Sequence, residues 1–401
     1  MCPSYRVTRN EKDLTRGRAN SLRLAITGQL GEDAFASDEM LDTMKLCVSC
    51  KGCQRECPTG VDMAAMKIEV LAARAAKHGV SLHDKLVAHL PRYAGTAAKL
   101  SWVMNLRNRL PGLARALEGA TGFSAKRKLP MWRSDAFSDS EVPDVPAPDI
   151  VLFADTFNRY FEPENLRAAV RVLSAAGVAF EIARPAHDKR ALCCGRTFLS
   201  SGLVERAKEE ASRLIAALVP HAKAGRYIVG LEPSCLLTLR DEIPRLVPGP
   251  DAELVAKHAL LFEEYIVQHL DTESLAGKLR SPADKILLHG HCHQKAAGIM
   301  SSVEQVLGLL PDTEVGTVES SCCGMAGSFG YKTDTHAISM KMGELDLFPA
   351  VRSREENTLV VADGTSCRHQ IADGTQTEAL HVARVLELAL SEQGKTKEIA
   401  G

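Results

Sequence analysis

From residue 149 onward the chain alternates short apolar runs with stretches of helical periodicity. The first pass reads IVLFA, then the amphipathic NLRAAVRVLSAAG, then VAFEIA, ERAKEEASRLIAAL and RYIVGL. Short continuous apolar runs bounded by turn residues fit buried strands, and apolar positions recurring every three or four residues fit helices that cover a sheet. A second pass follows in the same order: KILLH, a helix through SSVEQVLGLL, TEVGTV, a helical stretch and TLVVAD. Alternating strands and helices predict a mainly parallel sheet in each half. The repeated order predicts an internal duplication of one α/β unit, over 149–270 and again over 271–395, with a short tail at 396–401.

The first 80 residues follow a helical period throughout. NSLRLAITGQLGED places Leu22, Leu24, Ala25 and Leu30 near one face. VDMAAMKIEVLAARAAKHG predicts a longer helix, with Asp62 in its first turn and Gly79 at its stop. The fold expected is therefore α/β, with an α-helical domain over 1–80 in front of the duplicated units. Residues 81–148 join them. They hold helical patches broken at Pro91, Pro111 and Pro130, then the linker-like EVPDVPAPD. Glu118 is the lone acid between Lys85 and Arg133, a span rich in Lys and Arg. Such a segment is either a solvated helical surface or a basic face for an anionic membrane or an acidic partner.

Composition narrows the class. Lys plus Arg number 49 against 50 Asp plus Glu, so overall charge gives no reason to expect nucleic acid. The hydrophobic share of 45% is that of a soluble globular chain. No run approaches the ~18 apolar residues of a membrane span, and the first residues lack a secretory core. The expectation is a cytoplasmic protein, with peripheral contact at the inner face of the membrane as a further expectation.

The 12 cysteines fall in tight groups, which in a long chain without an export signal predicts metal ligation rather than disulfides. Cys47, Cys50, Cys53 and Cys57-Pro58 form C-x2-C-x2-C-x3-C-P, the ferredoxin-type run. Three thiolates at that spacing wrap one face of a [4Fe–4S] cube. The fourth Cys of such a run ligates the other cluster where two are present. By that rule Cys2, in its own Cys-Pro pair, completes the set with Cys47, Cys50 and Cys53. Cys57 then points to a second cluster whose other ligands lie upstream of Met1. The expectation is a piece of something longer, able to build one cube as written.

Cys193-Cys194-Gly195 recurs as Cys322-Cys323-Gly324, and each is followed after a strand by a Ser-Cys, at Cys235 and Cys367. Loops at the C-terminal ends of parallel strands converge on one side of a sheet, where α/β sites form. Cys292, Cys322, Cys323 and Cys367 predict a further cluster in the second half. The first half offers Cys193, Cys194 and Cys235, because Thr156 stands where Cys292 does. For these three a structural role, a labile metal and disulfide exchange all stay open. His289, His291 and His293 crowd Cys292. His291, His293 and Lys295 are the candidates for proton handling or charge balance around a cluster.

MCPSYRVTRNEKDLTRGRAN, LCVSCKGCQRECPTGVDM, LEPSCLLTLRDE and HGHCHQKA together resemble the iron–sulfur region of FAD-linked D-2-hydroxyacid dehydrogenases, of the D-lactate and D-2-hydroxyglutarate type. The chain is also similar to glycolate oxidase iron–sulfur subunits and to the Cys-Cys-Gly proteins of heterodisulfide reductase. The resemblance implies [4Fe–4S] clusters on this chain and FAD on a missing domain or partner. It implies a flavin-binding dehydrogenase as partner, with quinone or another carrier as electron acceptor. The function expected is electron transfer, without catalytic residues for substrate oxidation. The rival readings are a thiol–disulfide or zinc protein and an inert truncated fragment.

Overall fold

A computed structural model describes residues 2–186 and 188–391; the tail expected at 396–401 lies outside them. Among the described residues the strands form two four-stranded sheets of the same topology. β1 (Ile150–Phe153), β2 (Phe180–Ile182), β3 (Tyr227–Gly230) and β4 (Ala259–Leu261) lie in the order β2-β1-β3-β4. β5 (Lys285–Leu288), β6 (Glu314–Thr317), β7 (Thr358–Val361) and β8 (Ala379–Leu380) lie in the order β6-β5-β7-β8. Every pairing is parallel, with Ile150 opposite Phe180 and Tyr227, and Lys285 opposite Glu314 and Thr358. β1 is buried along its whole length, as a strand covered on both faces must be. The edge strand β6 is largely exposed.

β4 and β8 escape a reading by periodicity. Each is two or three residues long and runs directly into a helix, so PDAELVAKHALLFEEYIVQH reads as one helical stretch although it holds a helix, a strand and a second helix.

The units share one core. The helix Val382–Ala389, which ends the second unit, packs on Pro163–Ala175 of the first. Reciprocally, Phe262–His269 of the first packs on Met300–Leu307 of the second. Leu166, Leu173, Ile266, Val303, Val306, Val385 and Leu386 meet in this single apolar cluster. The exchange fixes the two sheets relative to one another, and with them the loops at their C-terminal ends.

The first 80 residues are helical as expected, with shifted limits. The first long helix runs Thr15–Ile26, so Leu30 falls beyond it and is exposed rather than on its apolar face. Asp62 caps the helix Met63–His78 by accepting from the Ala65 amide at 3.0 Å, and Gly79 ends it at φ 72°.

The joining segment is partly tied down. Arg127 is buried against the second unit, 2.8 Å from Asp373 and from Gln370 Oε1, and Arg107 donates to the Ser124 carbonyl at 2.7 Å. Lys99, Arg109, Arg115, Lys126 and Lys128 remain exposed.

Candidate metal centres

Cys47 follows the helix Asp38–Lys45, and Cys53 lies in the short helix Gly52–Glu56. Between them Ser49 and Lys51 take left-handed backbone at φ 50° and 60°. For residues with a Cβ this is strained, and it is what bends the loop tightly enough to turn three thiols inward. Cys2 caps the helix Pro3–Thr8. Burial pushes the Cys50 thiol well up, and its neighbours Cys292, Cys47 and Cys2 push it further. Burial likewise raises Cys53, with Cys47 and Cys2 adding to the effect. The fold thus gathers Cys2, Cys47, Cys50 and Cys53. Cys57 is not among the cysteines that push these thiols up. Its thiol is drawn down by a hydrogen bond with Thr59, 3.1 Å away, and by amides of the same turn.

In the second unit Cys292, Cys322-Cys323 and Cys367 follow the C-terminal ends of β5, β6 and β7. The chain leaves β5 toward β6 on one side and leaves β7 toward β8 on the other, so Cys292 and Cys367 flank the switch point of the sheet. The four thiols act on one another in series, Cys292 on Cys322, Cys322 on Cys323 and Cys323 on Cys367. The Cys322 thiol draws Cys292 down to about 6 against burial, helped by His291 and Arg196. Cys322, Cys367 and His289 together hold Cys323 well below its ordinary range. Lys295 faces all four sulfurs, and its Nζ is anchored 2.7 Å from the Ser320 carbonyl.

The first unit repeats this geometry with different electrostatics. The Gly195 amide lies 3.4 Å from Cys193 Sγ, and the Gly324 amide lies 3.5 Å from Cys322 Sγ. Both glycines need positive φ, and a Cβ on Gly324 would come 2.5 Å from the Ser339 carbonyl. Thr156 and Cys292 each open the helix after the first strand of their unit. Cys235 of the first trio faces acids, however. Glu232 and Asp155 act on Cys235, and burial beside Glu232 pushes Asp155 up to about 6. Cys193 is held well up by Cys194 and by burial. In the second set Cys292 and Cys323 are held down as thiolates while Cys322 and Cys367 are pushed well up; in the first set all three thiols are pushed up.

The three sites meet. His293 Nε2 lies 3.1 Å from the Ser49 carbonyl and 3.2 Å from Arg196, which lies between Cys194 and Cys292. Lys51 pairs with Asp241 and Glu242 of the first unit, and Arg55 donates to the Lys295 carbonyl of the second. Glu232 accepts from Ser234 and from the Thr365 amide, tying together the helices that carry Cys235 and Cys367.

Sequence comparison places these features in known families. The 4Fe-4S dicluster domain model matches residues 1–61, and the cysteine-rich domain model matches residues 154–240 and 286–372. This is an iron–sulfur protein with a dicluster domain and a doubled cysteine-rich domain. Among similar proteins of Escherichia coli K12, one of the subunits of anaerobic glycerol-3-phosphate dehydrogenase is 24% identical, over 78% of each chain. The glycolate oxidase iron-sulfur subunit is 25% identical, over 98% of this chain and 92% of that protein. D-2-hydroxyglutarate dehydrogenase is 22% identical over 96% of this chain, which spans 41% of that longer protein.

The donor sets fit iron–sulfur clusters. All twelve cysteines are free thiols. Among the described cysteines, only Cys323 and Cys367 come within 4.8 Å of one another as part of a three-donor group, with His289 as the third. Sulfurs spread more widely than a single ion requires suit a larger inorganic core.

The histidines divide their work in a way the sequence left open. β5 stops at Leu288, and His291 becomes the cap of the next helix, its Nδ1 accepting from the His293 amide at 3.2 Å. His293 reaches the dicluster domain. His289, which sequence reasoning passed over in favour of those two, is the one that touches the cysteines. Arg196 and Glu232 were missed as well, because their significance depends on contacts between units.

Proposed function

We propose that this chain is the electron-transfer module of a flavin-dependent 2-hydroxyacid dehydrogenase or oxidase. Electrons pass from FAD on another domain or subunit, through two iron–sulfur centres, to a quinone or another carrier. The observation that carries this reading is the meeting of the two donor sets' loops, where His293 Nε2, next to Cys292, lies 3.1 Å from the carbonyl of Ser49, next to Cys50. Cys2, Cys47, Cys50 and Cys53 would hold one [4Fe–4S] cluster, and Cys292, Cys322, Cys323 and Cys367 the other. Bound clusters supply one-electron redox chemistry. The chain's own part is to hold the two donor sets together through the His293–Ser49 contact, exclude water, and set charge with Arg196 and Lys295. The relatives' names carry different substrates, glycerol-3-phosphate, 2-hydroxyglutarate and glycolate, which fits a shared module that passes electrons and leaves substrate choice elsewhere.

Anaerobically purified protein should absorb near ~400 nm and hold about eight irons per chain. In the reduced state the two centres should broaden each other's EPR signals. A colourless chain containing zinc would overturn the reading.

The acceptor side has two supports. An open apolar groove of about 440 Å3, lined by Leu22, Ile26, Phe35 and Met66, borders the core on which Cys47 and Cys53 pack, and suits an apolar carrier such as a quinone. The joining segment exposes Trp102 (64%), Val103, Met104 and Leu110 among Lys99, Arg109 and Arg115. Apolar side chains ringed by cations suit peripheral contact with an anionic membrane. No helix among the described residues is long and apolar enough to cross one. Co-sedimentation with vesicles containing anionic lipid should fall at least tenfold in a W102E/R109E/R115E variant, since each lost cation contributes about 1 kcal/mol. Equal binding by wild type and variant would remove this surface from the proposal.

A further inference from the structure

We propose that His289 is a nitrogen ligand of the metal centre in the second cysteine-rich domain, joining Cys292, Cys322, Cys323 and Cys367. The inference rests on the reading that this domain holds a centre, and adds to it a donor of another chemical kind.

The position of His289 is fixed by the fold. It is the first residue beyond β5, its amide donates to the Val361 carbonyl at 2.8 Å, and only 1% of its surface is exposed. One ring nitrogen is engaged: Nδ1 lies 3.0 Å from Ser320 Oγ, which Lys295 Nζ holds from 3.2 Å. The other, Nε2, is enclosed and makes no hydrogen bond to nitrogen or oxygen. What the ring faces instead is sulfur, within 4.8 Å of both Cys323 and Cys367. An enclosed nitrogen without a partner costs about 1–3 kcal/mol, a cost that coordination would remove. Nδ1 held by an oriented hydroxyl, with Nε2 left over on the side of the sulfurs, is the arrangement of a metal-binding histidine, whose second nitrogen is held by a neighbouring hydrogen-bonding group.

The duplicated domain supplies an independent comparison. β1 ends at Phe153 as β5 ends at Leu288, so the first residue past the strand is Ala154 where the second domain has His289, and the second loop is one residue longer before its helix opens at Cys292 rather than Thr156. The first domain therefore lacks both the histidine and, with Thr156 in place of Cys292, the fourth cysteine. A general packing role for the ring would be needed in both copies. Loss of both donors from the same copy is what a shared ligand set predicts.

Imidazole is neutral where a thiolate is negative, so histidine on an iron raises its reduction potential. This would raise the potential of the second domain's centre above that of the same centre held by cysteines alone.

The test uses the full chain, purified anaerobically with its iron and labelled with 15N-histidine. Pulsed EPR of the reduced protein should show strong nitrogen hyperfine coupling that changes isotope with the label. The H289Q variant should lose that coupling and show a shifted midpoint potential for one centre only. Coupling no stronger than that of a hydrogen-bonded N–H, or coupling unchanged in H289Q, would overturn the proposal. The labelled wild type decides the matter even if H289Q folds poorly. A C292S variant separates the two levels: if it matches wild type in iron content and EPR signals, the second domain holds no centre, and both the ligand assignment and the reading beneath it fail.

Discussion

Cys2→Ser protein is expected to carry about four irons fewer per chain than wild type, while Cys57→Ser protein keeps the full complement. The contrast follows from how each cysteine is held. Cys2 Sγ lies 3.3 Å from Thr15 Oγ1 and 3.9 Å from an Arg18 guanidinium nitrogen. Arg18 is itself buried, donating to Ser4 Oγ at 3.1 Å and to the Thr43 carbonyl at 3.2 Å. Arg6, in the next turn, makes a bidentate contact of 2.5 and 2.9 Å with Asp346 in the second cysteine-rich domain. The N-terminal hook is thus clamped from both sides, which holds its cysteine toward Cys50 and Cys53. Cys57 has only its own turn for company. Iron determination with visible absorbance, on proteins purified side by side, measures the difference. A full iron complement in Cys2→Ser beside a loss in Cys57→Ser would show that the run uses its own fourth cysteine, and that the distant Cys2 is a bystander.

The choice between Cys2 and Cys57 could be framed from spacing alone, because it depends on a rule about short loops. The duplicated α/β units were legible for a similar reason: IVLF and KILL are short runs, too brief for a helix, each followed by a helical period, and Cys-Cys-Gly recurs behind each. Contacts between distant segments leave no such trace. Nothing in LLHGHCHQKA says that the strand stops before His289, and one residue's difference in that limit decides which ring meets the sulfurs. Arg127 belongs to a stretch that looks solvated, yet it plugs into Gly330 and Gln370, some two hundred positions on. β4 and β8 were hidden because a strand of two or three residues is too short to break the helical period around it.

The second large effect concerns a contact of that invisible kind. Glu162→Gln is expected to destabilise the paired cysteine-rich domains by about 3–5 kcal/mol, because it leaves a buried cation without its partner. Glu162 precedes the helix Pro163–Ala175 of the first domain, and Arg368 follows Cys367 in the second. Their side chains meet through two bonds, 2.9 Å and 2.6 Å, with 4% of Arg368 and 15% of Glu162 exposed. Arg368 also donates to the Ala362 and Asp363 carbonyls at 2.8 and 2.6 Å, which shapes the loop leading to Cys367. Burial alone would raise the Glu162 carboxyl, but the Arg368 charge and its hydrogen bonds outweigh that and hold it at about 2, against an ordinary 4.5. A carboxyl depressed in the folded state adds stability above its unfolded value and loses it as pH falls toward the folded one. Wild-type stability should therefore decline as pH falls from about 4.5 toward 2, and the variant should lack this part of the slope. Denaturant unfolding at a series of pH values, followed by near-ultraviolet circular dichroism, gives both curves. If they run parallel, Arg368 has found another counter-charge and the two domains are held by their shared apolar core alone.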